Sequence, residues 1–235
     1  MSRYFIKEGY VENECSTTFE GETPGTYWNE KRISLNATSR IYVYHFVREL
    51  MEKRNLLRYL DLGCGPALKA KNIIWPITKD ITLIDQPSLR GIVGKSFPEA
   101  DFIGLDLERD DFQSEIPFDI IVSSDVIEHL SDPNNYLRII KKNLSEDGIA
   151  VLTTPDRDRL MGKTCMRSGN ASHVREWNSD EFREYLQDMG FSVRKQFYCP
   201  FIPLPGWEYS LSRAVSSVLK TKRWSSCQIV YCGHR

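Results

Sequence analysis

From Leu57 to Thr154, short apolar runs alternate with stretches of helical spacing. The runs are 57–62 (LRYLDL), 81–85 (ITLID), 101–105 (DFIGL), 118–123 (FDIIVS) and 148–154 (GIAVLTT). In IIVS and IAVLT successive residues are apolar, which suits strands buried on both faces of a parallel sheet. Segments near 66–74, 87–97 and 133–144 read as the helices between them. The last opens on Asp132-Pro133, a capping carboxylate followed by proline at the first helical position. Upstream, Tyr27 to Asn55 is helical, with Ile41, Tyr44, His45, Val47, Arg48 and Met51 near 3.6-residue spacing. Downstream, Ser179-Asp180-Glu181 opens a helix to about Met189 that Gly190 closes. Phe191 to Tyr198 and Ser226 to Cys232 (SCQIVYC) read as two further strands. Strands alternating with helices in this way predict an α/β fold, a doubly wound sheet with helices on both faces.

That pattern divides the chain into residues 1–55, an N-terminal arm and helical lid, and residues 56–235, the α/β domain. The arm over 1–26 has no sustained period and reads as ordered in part by ligand. Two insertions, 156–178 and 200–224, fall on one side of the domain; the second holds three prolines, two tryptophans and a helix over 209–219. Insertions of that length are functional or disordered.

Composition narrows the class. Apolar residues make up 41% and charged residues 27%, as in a globular protein. With 31 basic and 32 acidic side chains the formal charge is −1, and Lys220-Thr-Lys222-Arg223 is the one short basic cluster. That balance disfavours a nucleic-acid partner, which calls for a basic stripe. Met1 to Thr26 lacks the apolar core of a signal peptide, and no stretch approaches the roughly 20 apolar residues of a membrane span. Cys15, Cys64, Cys165, Cys199, Cys227 and Cys232 are scattered without a Cys-x-x-Cys pair, so reduced thiols and a cytoplasmic location are expected. Oligomeric state is not legible.

The chemistry starts at Asp61-Leu62-Gly63-Cys64-Gly65, where a strand runs into a Gly-x-Gly turn. Glycine is needed where backbone closely approaches a bulky ligand, and the crevice at the strand ends is where nucleotides bind. The third glycine of the dinucleotide fingerprint is replaced by Ala67-Leu68-Lys69. About 20 residues on, Asp85 ends the second strand, where a carboxylate can accept both hydroxyls of a ribose. Asp106 ends the third, placed for an adenine amino group. Asp61 before the glycines suits a ligand carrying a sulfonium and an ammonium; it would repel a diphosphate. A nicotinamide-dependent oxidoreductase and a non-catalytic nucleotide-binding scaffold are the alternatives.

Taken together, Asp61-Leu-Gly-Cys-Gly65, Ile84-Asp85, Asp106-Leu107, Asp125-Val-Ile-Glu-His-Leu130 and Leu152-Thr-Thr-Pro155 resemble the successive motifs of class I, Rossmann-like S-adenosylmethionine-dependent methyltransferases. The resemblance covers roughly Leu57 to Val193 and is closest to a branch found beside glycosyltransferases, which also carries His-Val-Arg-Glu-Trp, here His173 to Trp177. It implies strand order 3-2-1-4-5-7-6 with SCQIVYC antiparallel, S-adenosyl-L-methionine as cofactor, and a small polar acceptor such as a sugar. It also implies that Gly63, Cys64 and Gly65 line the methionine and ribose, with Asp61 behind them. Asp85 with Gln86 would hold the ribose, Asp106 and Leu107 would flank the adenine, and Ser124 and Asp125 would face the methionine end and the acceptor.

A hydroxyl acceptor must lose a proton, to a base or under the influence of a metal. Of the four histidines, His45 sits in an amphipathic pattern and reads as packing, and His234 at the chain end as solvated. Asp125, Glu128 and His129 stand at i, i+3 and i+4, on one face if that segment is helical, and His173 can complete the cluster. The set is similar to the metal site of small-RNA 2′-O-methyltransferases and of ubiquinone-pathway O-methyltransferases, and suits Mg²⁺, Mn²⁺ or Zn²⁺ clamping a vicinal diol. Two readings stand side by side: this metal site, or His129 or His173 as a metal-free base. Arg175 and Glu176 grip hydroxyls or form surface pairs; Trp177 reads as core. The segment 156–172, with Arg157 and Arg159, reads as a mobile acceptor-side loop.

Overall fold

The computed structural model describes residues 3–14, 28–199 and 226–235. The insertion at 200–224, with its expected helix over 209–219, lies outside these residues. Seven strands form one sheet: β1 (Tyr59–Leu62), β2 (Ile81–Asp85), β3 (Asp101–Gly104), β4 (Phe118–Ser124), β5 (Leu144–Pro155), β6 (Phe191–Cys199) and β7 (Cys227–His234). Their order is β3-β2-β1-β4-β5-β7-β6, and β7 runs antiparallel to both its neighbours while the other pairs are parallel. His234 is therefore not a solvated end: it closes β7, and its Nε2 lies 3.0 Å from the Leu144 carbonyl.

Alternation along each strand sends side chains into two cores. Tyr59, Val122 and Val151 face helices α2 (Ile41–Arg54) and α3 (Arg90–Ser96) through Val43, Val47, Met51 and Val93. Leu60, Ile121 and Leu152 face α4 (Asn134–Asn143) and α6 (Ser179–Asp188) through Leu137, Ile140, Phe182 and Leu186. The expected helix at 66–74 is a short segment that widens into a π-helical turn, Ala70–Ile74. The helix expected over 27–55 is two: α1 (Glu30–Thr38) ends before Arg40, whose φ of 56° turns the chain sharply into α2.

The C-terminal half is bound to the arm. Trp177 is fully buried, stacks on Tyr185 at 5.8 Å and donates its Nε1 hydrogen to the Tyr4 carbonyl. Tyr4 and Ile6 are buried as well, which anchors the start of the arm to this core. Short helix α5 (Arg157–Leu160) opens the 156–172 segment, and its Arg157 is buried in a two-pronged pair with Glu181, 2.7 and 2.9 Å. Asn178 caps α6 by accepting from the Asp180 and Glu181 amides, and Glu181 accepts in return from the Asn178 amide, a reciprocal capping box. Replacing Asn178 with Ala removes the acceptor for both amides and should lower the unfolding free energy by about 1 kcal/mol in urea titrations. An unchanged midpoint would contradict the cap.

Candidate functional site

A cleft of about 250 Å³ opens where the order of the parallel strands reverses, at the carboxyl ends of β1, β2 and β4. Gly63, with φ of +83°, forms its floor, and a Cβ there would overlap the Val126 Cγ2 methyl. The Gly63 and Cys64 amides donate to the Ile84 carbonyl at 2.7 and 3.2 Å, which pins the turn to β2. Gly65, with φ of +56°, lies under the Trp28 ring. Asp85 reaches over from β2: one oxygen accepts from the Gly65 amide and the other from the Gln86 amide, both at 2.7 Å. Burial pushes the Asp85 carboxyl up to about 6, against the lowering effect of those two amides. Each oxygen keeps a lone pair for a hydroxyl from the cleft.

Of the residues expected here, Gly63, Gly65, Asp85, Gln86, Asp106, Leu107, Ser124, Asp125 and His129 line the cleft. Asp61 does not. Strand alternation turns it with Tyr59 toward α2, where the Tyr44 and Tyr59 hydroxyls donate to it at 2.9 and 3.0 Å. It is fully buried, and burial raises its carboxyl to about 6. Cys64 is likewise buried below the turn, and burial raises its thiol well above the ordinary value.

The pattern of the sequence missed Trp28, Asn36, Arg40, Lys69 and Ser172, all in the cleft wall. Arg40 donates from Nε to Asp125 at 2.6 Å, and Asp125 also accepts from the Thr153 hydroxyl at 3.0 Å. Both members of the pair hold left-handed backbone conformations, φ 56° and 55°, which costs each about 1–3 kcal/mol and aims the two side chains at one another. Burial would raise Asp125, but Arg40 and Thr153 outweigh it, and the carboxyl is held below its usual range. Lys69 is buried beneath, donates to the Ser39 carbonyl at 3.2 Å, and is lowered by burial to about 8. The clearest advance signal for these cations was Lys69, four residues past Gly65; nothing local marks Arg40.

The helical face expected for Asp125, Glu128 and His129 does not form. Left-handed Asp125 is followed by a 3₁₀ turn, Ile127–His129, so Asp125 swings to Arg40 while Glu128 points inward. Glu128, His129 and His173 do converge, each offering one ligating atom within 4.8 Å of the others; Asp125 stands outside that group. The two imidazoles meet edge to face at 4.8 Å between centroids. His129 Nδ1 lies 2.6 Å from the Ser172 carbonyl, and His173 Nδ1 2.6 Å from Glu176 Oε1. Glu128 Oε2 accepts from the Thr154 hydroxyl at 3.0 Å, whereas its buried Oε1 has no partner. Burial, and after it the Asp125 charge, push the Glu128 carboxyl up to about 8. Burial and then His173 lower His129, which disfavours its charged imidazolium form. Burial opposes protonation of His173 too, but the Glu176 carboxylate outweighs it and raises that ring.

Arg175 neither grips the cleft nor forms a surface pair. It is fully buried and donates to the Leu130 and Ser131 carbonyls at 2.9 and 2.8 Å and to Glu12 at 2.6 Å. Glu176 is buried beside it and accepts from Ser168 and His173. Both are supports of the loop that carries His173.

A family profile described as a methyltransferase domain matches residues 32–196. A ubiquinone biosynthesis O-methyltransferase of Caulobacter sp. strain K31 is 25% identical over 177 residues, 66% of this chain and 67% of that protein. A similar enzyme of Ruegeria pomeroyi is 24% identical over 199 residues, 76% and 77% of the two chains. Among solved structures, a TehB-like methyltransferase of Corynebacterium glutamicum superposes with TM-score 0.60 at 22% identity, over 90% of this chain and 98% of its own. The N-methyltransferase NodS of Bradyrhizobium japonicum, in complex with S-adenosyl-L-homocysteine, gives 0.59 at 14% identity over 88% and 93%. At those identities the structures speak for the fold.

The floor of the cleft yields the sharpest structural test. Gly63→Ala combines a left-handed φ with overlap on Val126 and should cost about 1–3 kcal/mol of stability. Val126→Ala in the same chain should return part of that loss, measured as a coupling in denaturant unfolding. Strict additivity of the two changes would show that the loops do not meet.

Proposed function

The chain belongs to the methyltransferase-domain family and uses S-adenosylmethionine as methyl donor, and we propose that it methylates a hydroxyl oxygen of a small polar acceptor bound beside His129. The observation that carries this reading is the cluster of buried Glu128 with half-buried His129 and His173, opening on the wall of the cofactor cleft through His129. The relatives named as O-methyltransferases support oxygen as the atom methylated. The resemblance of His173 to Trp177 to the glycosyltransferase-associated branch supports a sugar or sugar-bearing metabolite, and any vicinal diol suits the trio.

In this reading the bound cofactor supplies a methyl group on a sulfonium. Gly63 and Gly65 let backbone approach it, and the Asp85 carboxylate accepts its ribose hydroxyls, with Gln86 alongside. Asp106 and Leu107 border its adenine. Arg40 and Lys69 offer positive charge to its carboxylate, while Asp125 and Ser124 face its ammonium end. Trp28 and Asn36 cover the turn and exclude water. Transfer is an in-line displacement, so holding the acceptor oxygen in line contributes most of the rate.

With no ion bound, the acceptor proton leaves by way of His129. Its Nδ1 hydrogen is engaged by the Ser172 carbonyl, so Nε2 carries the free lone pair. The donor set also fits a divalent ion, since Nδ1 of each imidazole is fixed by an oxygen and Glu128 Oε1 is unpartnered, the usual outer support of a metal site. Glu128, His129 and His173 would hold it, in place of the Asn170 amide that now lies 2.9 Å from His173 Nε2. Such an ion lowers the pKa of a bound hydroxyl, and two imidazoles with one carboxylate favour Mn²⁺ or Zn²⁺ over Mg²⁺.

A labelled-methyl assay over catechols and vicinal-diol sugars tests the acceptor, with mass spectrometry locating the new methyl; product methylated on nitrogen or carbon alone would refute the oxygen assignment. If the trio holds an ion, treatment with EDTA should abolish turnover and Mn²⁺ restore it, whereas undiminished turnover leaves His129 as a metal-free base. His129→Ala should leave S-adenosylhomocysteine affinity within about threefold and cut turnover about a hundredfold; parallel loss of both would remove its catalytic role. Affinity for S-adenosylhomocysteine should weaken as pH falls through about 6, because protonated Asp85 loses an acceptor for the ribose. The limiting slope for one proton is about tenfold per pH unit. Asp85→Asn should flatten this dependence, and an equally steep profile in that variant would assign it elsewhere.

A further inference from the structure

Between Met161 and Asn178 the chain carries no helix or strand, so its carbonyls have no regular backbone ladder and several take donors from the N-terminal arm. One side chain meets three of them. The two Nδ2 hydrogens of Asn13 are shared among the carbonyls of His173, Asn170 and Ser168 at 2.9, 3.1 and 3.4 Å, the longest as the minor branch of a forked bond, and its Oδ1 accepts from Arg167. The backbone of the arm follows: the Asn13 amide donates to Val174 at 3.0 Å and the Val11 amide to Met166 at 2.8 Å. On either side, the Tyr10 hydroxyl accepts from the Glu176 amide at 3.1 Å and Glu12 accepts from Arg175 at 2.6 Å.

The three carbonyls held by Asn13 belong to the three residues that set the His173 ring. Ser168 donates to Glu176 Oε1 at 2.7 Å, and the same oxygen accepts from His173 Nδ1 at 2.6 Å. Asn170 lies 2.9 Å from the other ring nitrogen, Nε2. His173 is itself the third. A shift of the loop against Asn13 therefore moves Asn170, one partner of the imidazole, and Ser168, which holds the other partner Glu176, together with the ring.

We propose that Asn13 is a positioning residue for His173: through the Ser168, Asn170 and His173 carbonyls, the N-terminal arm fixes the orientation and tautomer of an imidazole 160 residues away in sequence. The arm is then a part of the reaction centre's scaffold and not only a cover. The functional weight of this role rests on the assignment of His173 to that centre made above.

The test compares the full chain with Asn13→Ala and with Asn13→Asp, which keeps the size of the side chain and removes both donated hydrogens. Nitrogen-15 histidine spectra, taken at alkaline pH where the ring is neutral, should show His173 in wild type as a single tautomer protonated at Nδ1. Both variants should show that signal averaged between tautomers, while His129 keeps its own. S-adenosylhomocysteine affinity by calorimetry should stay within about threefold, and turnover in the labelled-methyl assay should fall about ten- to a hundredfold, as for a misplaced reacting group. Unchanged His173 signals in both variants, or loss of S-adenosylhomocysteine affinity by the same factor as turnover, would overturn the proposal. His173→Ala separates the two claims. Full turnover in that variant removes His173 from the reaction centre, while the spectra still decide whether Asn13 orients it.

Discussion

Two loops meet where the parallel sheet reverses its order, and they can touch because residue 63 has no side chain. The turn after β1 lies against Val126 in the turn after β4, with no room for a Cβ between them. From that contact the rest of the cleft follows. The Gly63 and Cys64 amides reach the Ile84 carbonyl, the Gly65 amide reaches Asp85, and the β2 carboxylate is drawn over the floor. Left-handed Asp125 is carried toward Arg40 on the far wall. A crevice with a carboxylate at one end and a cation–carboxylate cluster at the other can hold a ligand that is a nucleoside at one end and a zwitterion at the other.

Burial decides which charged groups serve the cleft and which serve the scaffold. Asp61, Arg157, Arg175 and Glu176 are buried away from the cleft, each satisfied at least in part by hydrogen-bond partners. A buried charge left alone is expensive, so these groups mark where the polar framework is knitted together. Asp61, Glu128 and Glu176 each keep one buried oxygen without a partner, and of the three it is Glu128 that joins both imidazoles in one cluster. Its carboxyl, raised to about 8 by burial and the nearby Asp125 charge, is one that a neighbouring cation would return to the ionised state.

The strands were readable because a strand buried on both faces prints itself as an unbroken apolar run, as in Ile120-Ile121-Val122, and the family motifs ordered them into the sheet observed. Gly63, Gly65, Asp85 and Asp106 were readable because strand ends and turns are local features. The corner at Arg40 was not: its left-handed backbone brings it to Asp125, 85 residues away, and no local pattern records that partner. The same limit explains Asp125. Its spacing to Glu128 and His129 suggested a helical face, but the ion pair and a 3₁₀ turn separate it from them. Arg175 looked like a ligand grip from its neighbours in sequence, and only the Leu130 and Ser131 carbonyls arriving from the β4 side explain why it is buried.

The central claim is that this one cleft holds the methyl donor with its ribose at Asp85 and its reacting sulfur toward His129. A crystal structure of the chain with S-adenosylhomocysteine measures that directly. The account predicts ribose hydroxyls within hydrogen-bonding distance of both Asp85 oxygens and the sulfur on the His129 side of Gly63. A ligand lying in the reverse sense, or bound outside the Gly63–Asp85 crevice, would contradict it.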